Sequence, residues 1–514
     1  MSEKEKTPIS VITIPLKTEK WQEDVLSKRF NSYRQIYNAM LGYELKRYDE
    51  MAALPEYIEA SQAVKDAYKK AKAEAGEKEI SDDGKIKIKK TPEYKEACQK
   101  LSEIRGAYGF SEYQFTKISN IFRKTRADRL EYLNSEICKD TEDKSRRSKS
   151  YTDGNLGLVT SSRITIMSVG LPMWSAFAKK LFCTKDEDDL PMPHFKKSGS
   201  FTSLASDGKS GLRILDENGD TTLNMSSDRG RQYYAALTSK RGKNVIMPLV
   251  IDRNNTYLLE MMERKIHVVR LLYKKVKGNY KYYIQLSVGG APALKYDKDG
   301  NLKHTIKDDK IAVVINSSKI AVATADDVYE IFLEKNFESY NARIAEINQY
   351  LDRSRRISKP ENYNENGTCK KKAYGEPKNI WTNSVGYKKA QAEKSNLQRI
   401  MKEQRKIQNN IIANEILSIG STIYINDYKA AECAKKKEET SMTKKGTYAS
   451  KAKAGKRIGE NAPGQLMTLI DNKLEAAGYD KMHRVKYDKE EHAKKDIKEL
   501  ARALYNEKNK LTYY

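Results

Sequence analysis

The stretch Ile311-Ala-Val-Val-Ile-Asn-Ser-Ser-Lys-Ile-Ala-Val-Ala-Thr324 decides the fold of the second half of the chain. Two apolar runs rich in β-branched residues flank a short polar turn, which predicts two strands of a buried sheet. A third run, Thr422-Ile-Tyr-Ile425, follows a charged segment over residues 385–418 that is typical of a long helix. From about residue 306 the predicted order is strand, strand, helix, strand, helix, helix, which is an α/β arrangement.

Two of these strands run into asparagine. Asn316 follows the first strand and Asn426 follows the third. Two-metal nucleases hold Mg²⁺ with acidic oxygens at strand ends, and an amide oxygen brings neither charge nor a second anionic site. The sequence also contains no Cys-x-x-Cys pair and no histidine pair at i, i+4. We therefore expect no metal site and no cofactor, and a scaffold that binds without cleaving.

The charge of the chain indicates a polyanionic partner. Lysine and arginine total 96 against 70 acidic residues, a formal net charge of +26. Such an excess is hard to reconcile with a small-molecule enzyme, whereas phosphates release counterions when a basic surface binds them. The 33 tyrosines add faces on which bases can stack. A lysine-rich, solvated surface is the alternative interpretation of the same excess.

Cysteine use and hydropathy indicate the compartment. The five cysteines lie far apart, which favours reduced thiols over a disulfide framework or a zinc ribbon. No apolar run approaches the length that spans a bilayer, and the first residues do not form a secretory signal. We expect a cytoplasmic protein without membrane contact.

The first half of the chain mixes strand and helix patterns. Residues 9–16 alternate as a strand, and apolar residues then recur at helical spacing over residues 21–45. Charged helices are expected to about residue 140, and another helix over residues 160–182. Short alternating segments over residues 193–292 predict a small antiparallel barrel that includes the N-terminal strand.

Basic side chains on these predicted helices and at the barrel entrance are candidate phosphate contacts. In the helical region arginines interleave with aromatic residues, a pattern that suits a nucleic-acid groove. A solvated helix face, or an aromatic core in the case of the rings, is the alternative. The candidate contacts are Lys28, Arg29, Arg34, Arg123, Arg126, Lys196 and Lys197.

The chain resembles the TnpB transposon-encoded guided nucleases and their descendants, the miniature type V-F CRISPR effectors. Each motif is loose alone, but their order and spacing over nearly the whole chain are more specific. The matching segments are residues 37–41, 173–174, 193–197, 244–288, 311–324, 422–429 and 451–478.

The resemblance implies an α+β multidomain fold with four parts. A wedge-like antiparallel β-barrel would contain an inserted helical recognition region, and a RuvC (RNase H-like) α/β domain would follow. The implied bounds are 1–50 for the first barrel strand and helix, 51–185 for the helical recognition domain, 186–305 for the β-barrel wedge domain and 306–514 for the RuvC-like domain.

The departures from the family concern its metal ligands. The family ends the first strand in aspartate and the second motif's strand in glutamate, where this chain has Asn316 and Asn426. The third acid stays open, because one alignment keeps it as Asp496 and another places Lys494 there. The zinc-binding segment before the third motif is missing.

The resemblance therefore implies a nuclease-dead, RNA-guided DNA-binding protein at the bacterial nucleoid. Its partners would be a guide RNA, with Mg²⁺ only as a structural ion of that RNA, and double-stranded DNA beside a short motif. Occupied DNA would block transcription or recruit the transcription machinery or another protein. Monomer and homodimer both stay open.

Two other functions stay open at this point. In an active guided nuclease, Asp326 or Asp327 would replace Asn316, and Asp427 would replace Asn426. In an RNA-binding scaffold there would be no DNA target.

Overall fold

The computed structural model describes residues 9–75, 92–124, 160–182, 192–228, 230–238, 244–297, 299–333, 337–370, 379–428, 430, 433, 454–485 and 496–510. Of the candidate site residues, Arg126 and Lys494 lie outside these ranges. The described residues fall into two units, the first within residues 1–274 and 280–290 and the second within 275–279 and 291–514. They form an α+β structure with three sheets.

The helices of the first unit follow its N-terminal strand in the chain and pack mainly against one another. The long first helix begins at a capping box, where the Glu19 N–H donates to Gln22 Oε1 at 2.9 Å. A short π-helical turn, Ile166–Gly170, joins the two helices predicted as one over residues 160–182. The helices are α1 Lys20–Ala52, α2 Pro55–Ala75, α3 Pro92–Ala107, α4 Glu112–Lys124, α5 Ser162–Thr165, α6 Leu171–Leu181 and α7 Thr256–Met262.

Seven strands of the first unit form two sheets, in the orders β1-β7-β6-β2 and β3-β4-β5. The N-terminal strand pairs antiparallel with β7, which confirms that it joins the sheet of the later strands. Isolated bridges at Leu16–Leu249 and Gly208–Arg213 link the two sheets, but their ladders stay separate, so a closed barrel stays a prediction. The strands are β1 Ile9–Pro15, β2 Ser203–Ser206, β3 Leu212–Leu215, β4 Tyr234–Leu237, β5 Val245–Pro248, β6 Ile266–Val276 and β7 Asn279–Gly289.

The second unit is built on a five-stranded sheet in the order β10-β9-β8-β11-β12. The first three of these are antiparallel to one another, and β8, β11 and β12 run parallel. The strands are β8 Lys310–Ile315, β9 Lys319–Ala323, β10 Val328–Phe332, β11 Thr422–Asn426 and β12 His483–Val485.

Helices cover both faces of this sheet. On one face Ile311, Val313 and Ile315 pack with residues of α9 and α11. On the other face the smaller Ala312 and Val314 pack against α12. Burial on both faces explains why the strands read as continuous apolar runs. The helices are α8 Glu338–Ser358, α9 Val385–Ile419, α10 Ala454–Asn461, α11 Pro463–Ala476 and α12 Ile497–Lys510.

The predicted order of elements in this unit was incomplete. The structure adds four elements to it: β10, α8, β12 and one of the three helices that follow β11. β10 is an edge strand that is only partly buried, and β12 has three residues, so neither produces a strong apolar run. No helix within the described ranges is both long enough and apolar enough to cross a membrane.

Candidate functional site

The ends of the parallel strands in the second unit bring the candidate metal positions together. Asn316 follows β8 and Asn426 ends β11, and parallel neighbours end at one edge of a sheet. We call this the carboxyl edge, and the edge where β8 and β11 begin the amino edge. Arg502 of α12 donates to Thr324 O at the amino edge at 2.7 Å. Since Asp496 precedes α12, it lies toward the carboxyl edge.

Asn426 is built into the backbone pairing of the sheet. The Ile315 N–H donates to Asn426 Oδ1 at 2.9 Å, and Asn426 Nδ2 donates to Ile315 O at 3.1 Å. The residue is 7% exposed. Its side-chain amide thus acts as one more peptide group and extends the β8–β11 ladder. A carboxylate could accept from the N–H but would leave Ile315 O without its donor.

Asn316 has a different role. Its Oδ1 accepts from the N–H groups of Ser318 and Lys319, both at 2.8 Å, and its own N–H donates to Lys319 O at 3.0 Å. This is an Asx-type turn between β8 and β9, and the residue is exposed. Because both side-chain bonds use only an acceptor, an aspartate would make them equally well. The amide here is not required by the fold.

A further buried asparagine reaches the carboxyl edge, and the sequence patterns did not identify it. Asn461, at the end of α10, is 3% exposed, and its Nδ2 donates to Ser317 O at 2.8 Å. The two residues are 144 positions apart, so no local spacing could indicate the contact. Three asparagines therefore meet the ends of β8 and β11.

The carboxylates offered as replacements differ in position. Asp427 directly follows Asn426, but its N–H donates to Val485 O at 2.9 Å and the Tyr428 N–H donates to Asn426 O at 2.7 Å, so the backbone turns at Asp427. Asp326 and Asp327 lie in the turn after β9, at the amino edge. Among the described residues, no three His, Cys, Asp or Glu side chains gather in a way that could hold a metal ion.

The amino edge holds a cavity of about 720 Å³ that is rich in acidic residues. Asp308 Oδ1 accepts from Ser421 Oγ at 3.0 Å. Asp309 pairs with Lys307 at 2.5 Å, and this hydrogen bond and ion pair raise the pKa of Lys307. These carboxylates are thus engaged in turns and ion pairs. The cavity lies away from Asn316 and Asn426.

Two of the predicted phosphate contacts, Arg34 and Lys196, touch each other in the first unit. Arg34 Nη1 donates to Lys196 O at 3.2 Å. Asn38 Nδ2 donates to the same oxygen at 2.9 Å, and the Lys196 N–H donates to Asn38 Oδ1 at 2.7 Å. Lys196 Nζ lies 5.5 Å from the centre of the Tyr37 ring. Lys196 and Lys197 are exposed. Two distant segments therefore contribute to one basic surface with an aromatic ring.

Arg29 and Arg123 both lie close enough to Tyr33 to act on its charge. Burial raises the pKa of Tyr33, and both arginines oppose that shift. Arg123 Nη1 donates to Thr160 O at 3.4 Å, and burial lowers the pKa of Arg29, which is half-buried. These two arginines therefore have structural roles as well as charge, whereas Lys28 is exposed.

Comparison with known proteins gives similarity to solved structures alone. No family model and no curated protein matches the chain. The chain is similar to type V CRISPR effectors over most of its length. A Cas12f1–sgRNA–target DNA complex has 11% identity and a TM-score of 0.36, with 93% of this chain and 89% of that chain covered.

Two further structures give lower scores. A CRISPR–Cas12f ternary complex has 12% identity and a TM-score of 0.21, with 93% of this chain and 88% of that chain covered. A Cas12i–crRNA–double-stranded DNA complex has 10% identity and a TM-score of 0.24. There the coverage is 91% of this chain and 56% of that chain. Similarities at this level carry no functional assignment.

Proposed function

We propose that this chain is an RNA-guided DNA-binding protein that does not cleave DNA and that regulates transcription by occupying its target. The observation that carries the proposal is the double hydrogen bond between the Asn426 amide and the backbone of Ile315. The position that would supply a metal-binding carboxylate in the family instead completes the pairing of two strands.

The metal chemistry supports the absence of cleavage. A pair of Mg²⁺ ions needs several anionic oxygens that converge, and the bound water and metals carry out the chemistry. At the carboxyl edge Asn316 and Asn426 offer neutral amides, and Asp496 is a single carboxylate. One carboxylate does not assemble a two-metal site.

The charge distribution supports retained nucleic-acid binding. The net charge of +26 does not depend on the two asparagines, and backbone contacts provide most of the affinity for a heteroduplex. The surface around Arg34 and Lys196 joins cations to an aromatic ring. The guided mechanism follows from the motif resemblance, and the role in transcription follows from occupation of DNA without cleavage.

The proposal is tested with the purified chain and its copurifying RNA. Sequencing should return one discrete structured RNA with a variable end. A DNA duplex that matches the variable end should then shift in a gel without being cut in Mg²⁺. Heterogeneous cellular RNA, together with no binding of matched DNA, would contradict guided binding and favour an RNA scaffold.

The inactive site is tested by the double variant Asn316→Asp, Asn426→Glu, with Asn316→Asp alone as the matched control. We expect no Mg²⁺-dependent cleavage by the unmodified chain or by the control. The double variant should gain little, because it also breaks the Asn426 pair with Ile315. Mg²⁺-dependent cleavage of guided DNA by the unmodified chain, above the background without protein, would overturn the proposal.

A further inference from the structure

The second unit carries a helical hairpin between β10 and β11 that the site above does not use. Helices α8 and α9 run antiparallel, since Arg343 pairs with Glu393 and Tyr350 lies against Gly386 nearer the turn. We call the described residues 352–370 and 379–389 the hairpin tip. They include seven lysines and arginines against three acidic residues, a local concentration of the positive charge of the chain.

Arginines and aromatic rings alternate at the hairpin tip. The guanidinium carbon of Arg355 lies 5.1 Å from the ring centre of Trp381 and 5.2 Å from that of Tyr387. The guanidinium carbon of Arg356 lies 5.1 Å from the centre of the Tyr363 ring. Tyr363 and Trp381 themselves meet edge to face at 5.8 Å. Two cations and three rings thus form one connected cluster.

In and beside the cluster are buried polar atoms that have no hydrogen-bond partner in the described part of the chain. Arg355 Nε is buried and has no hydrogen-bond partner there, and the same holds for Asn383 Oδ1. The Arg355 guanidinium is therefore held by rings and not by a carboxylate. Arg356 differs, because it pairs with Asp352 at 2.7 Å. Trp381 and Tyr363 are only partly buried, so a ligand can reach them.

We propose that the hairpin tip binds single-stranded RNA. Bases would stack on Trp381 and Tyr363, while Arg355 and the surrounding lysines would contact phosphates. In a duplex the bases are paired and stacked on one another, so they cannot stack on Trp381 and Tyr363. An acidic protein would match the charge but has no need of exposed rings. The inference rests on the proposed function in one respect, that the guide RNA would supply the strand.

The direct test uses Trp381 as a fluorescent reporter. The chain has three tryptophans, so Trp21→Phe with Trp174→Phe leaves Trp381 alone. Oligo(U) of about 20 nucleotides is titrated in about 0.3 M NaCl, where phosphate attraction elsewhere on the protein is weakened. We expect saturable quenching of Trp381 by oligo(U). An RNA duplex and polyglutamate should not quench it.

The second test measures affinity for the same oligo(U) in the full chain. Trp381→Ala should weaken binding about tenfold, and Trp381→Phe, which keeps a stacking face, by less than about threefold. Arg355→Lys should weaken binding by about three- to fivefold, because the planar guanidinium is lost while the charge stays. Arg399→Lys is the matched control, since Arg399 pairs with Glu403 at 2.6 Å on the same hairpin.

Two results would overturn the proposal. One is an affinity of Trp381→Ala within about twofold of the unmodified chain, since stacking on that ring is expected to exceed this. The other is quenching of Trp381 by polyglutamate as strong as by oligo(U), which would make the tip a protein-docking surface. If the unmodified chain binds guided DNA but Trp381→Ala keeps its affinity for oligo(U), only the hairpin-tip proposal is wrong. If Trp381→Ala loses oligo(U) binding but the unmodified chain does not bind guided DNA, only the proposed function is wrong.

Discussion

The two edges of the five-stranded sheet in the second unit carry opposite chemistry. Four carboxylates line the cavity at the amino edge, whereas three amides meet the strand ends at the carboxyl edge, with Asp496 as a carboxylate toward that edge. The amino edge has Asp308, Asp309, Asp326 and Asp327. The carboxyl edge has Asn316, Asn426 and Asn461.

The difference shows that the position of carboxylates matters more than their number. At the amino edge Asp308 accepts from a serine and Asp309 pairs with a lysine, so these acids support loops. At the carboxyl edge the ends of the parallel strands β8 and β11 lie side by side, where acidic oxygens from separate strands could share a metal ion. Asn426 occupies that position with a group that must donate as well as accept.

The largest effect on stability is expected for Asn426→Asp, at the carboxyl edge. We expect the free energy of unfolding to fall by about 3 kcal/mol near neutral pH, since Ile315 O loses its donor and a charge is buried. Burial would raise the pKa of the new carboxyl group above its unfolded value. The loss should therefore shrink as the pH falls, because the protonated form can donate. Urea unfolding at several pH values measures this, and an unchanged midpoint would contradict it.

Glu44 in the first unit shows what a buried carboxylate does in this chain. It is fully buried, its Oε1 has no hydrogen-bond partner among the described residues, and burial raises its pKa to about 8, opposed by Arg47. Because the folded pKa exceeds the ordinary 4.5, the stability that Glu44 contributes is fully present below pH 4.5 and is lost as the pH rises towards 8.

The substitution Glu44→Gln removes this titration and keeps the shape of the side chain. We expect the loss of stability between these two pH values to shrink by roughly 2 kcal/mol, because glutamine stays neutral. Urea unfolding across the range measures the slope. Equal slopes for the two proteins would show that Glu44 is already ionised in the folded state.

At the amino edge the corresponding test is Arg502→Met. Arg502 donates to the carbonyl oxygens of Thr324, Ala325 and Asp326 at 2.7, 3.0 and 3.1 Å. Methionine keeps the apolar stem but leaves these oxygens to solvent, so we expect a loss of about 1 to 2 kcal/mol in urea unfolding. A loss below about 0.5 kcal/mol would mean that water replaces the arginine without cost.

The smallest effect is expected for Asn316→Asp, the matched control for Asn426→Asp at the same edge. Both side-chain bonds of Asn316 use only Oδ1, which a carboxylate also provides. The free energy of unfolding should change by less than about 0.5 kcal/mol, as for most exposed substitutions. A loss as large as that of Asn426→Asp would remove the distinction between the two asparagines.

Much of the second unit could be predicted from its sequence because its central strands are buried on both faces. The runs ending at Ile315 and Ile425 are apolar without interruption, which few other structures produce. The edge strand β10 and the short β12 gave no such signal. The rings of the hairpin tip lie far apart in the sequence, and only the paired helices bring Arg355 to Trp381.

The sequence by itself determined the chemistry available to this protein: a large positive charge, and amides at the two strand ends, Asn316 and Asn426. The tertiary structure decided what those amides do. Asn426 and Ile315 are 111 residues apart, and their two hydrogen bonds exist because the parallel register of β8 and β11 places Ile425 opposite Val313. Register depends on the packing of the whole sheet against its helices, so no local pattern encodes it.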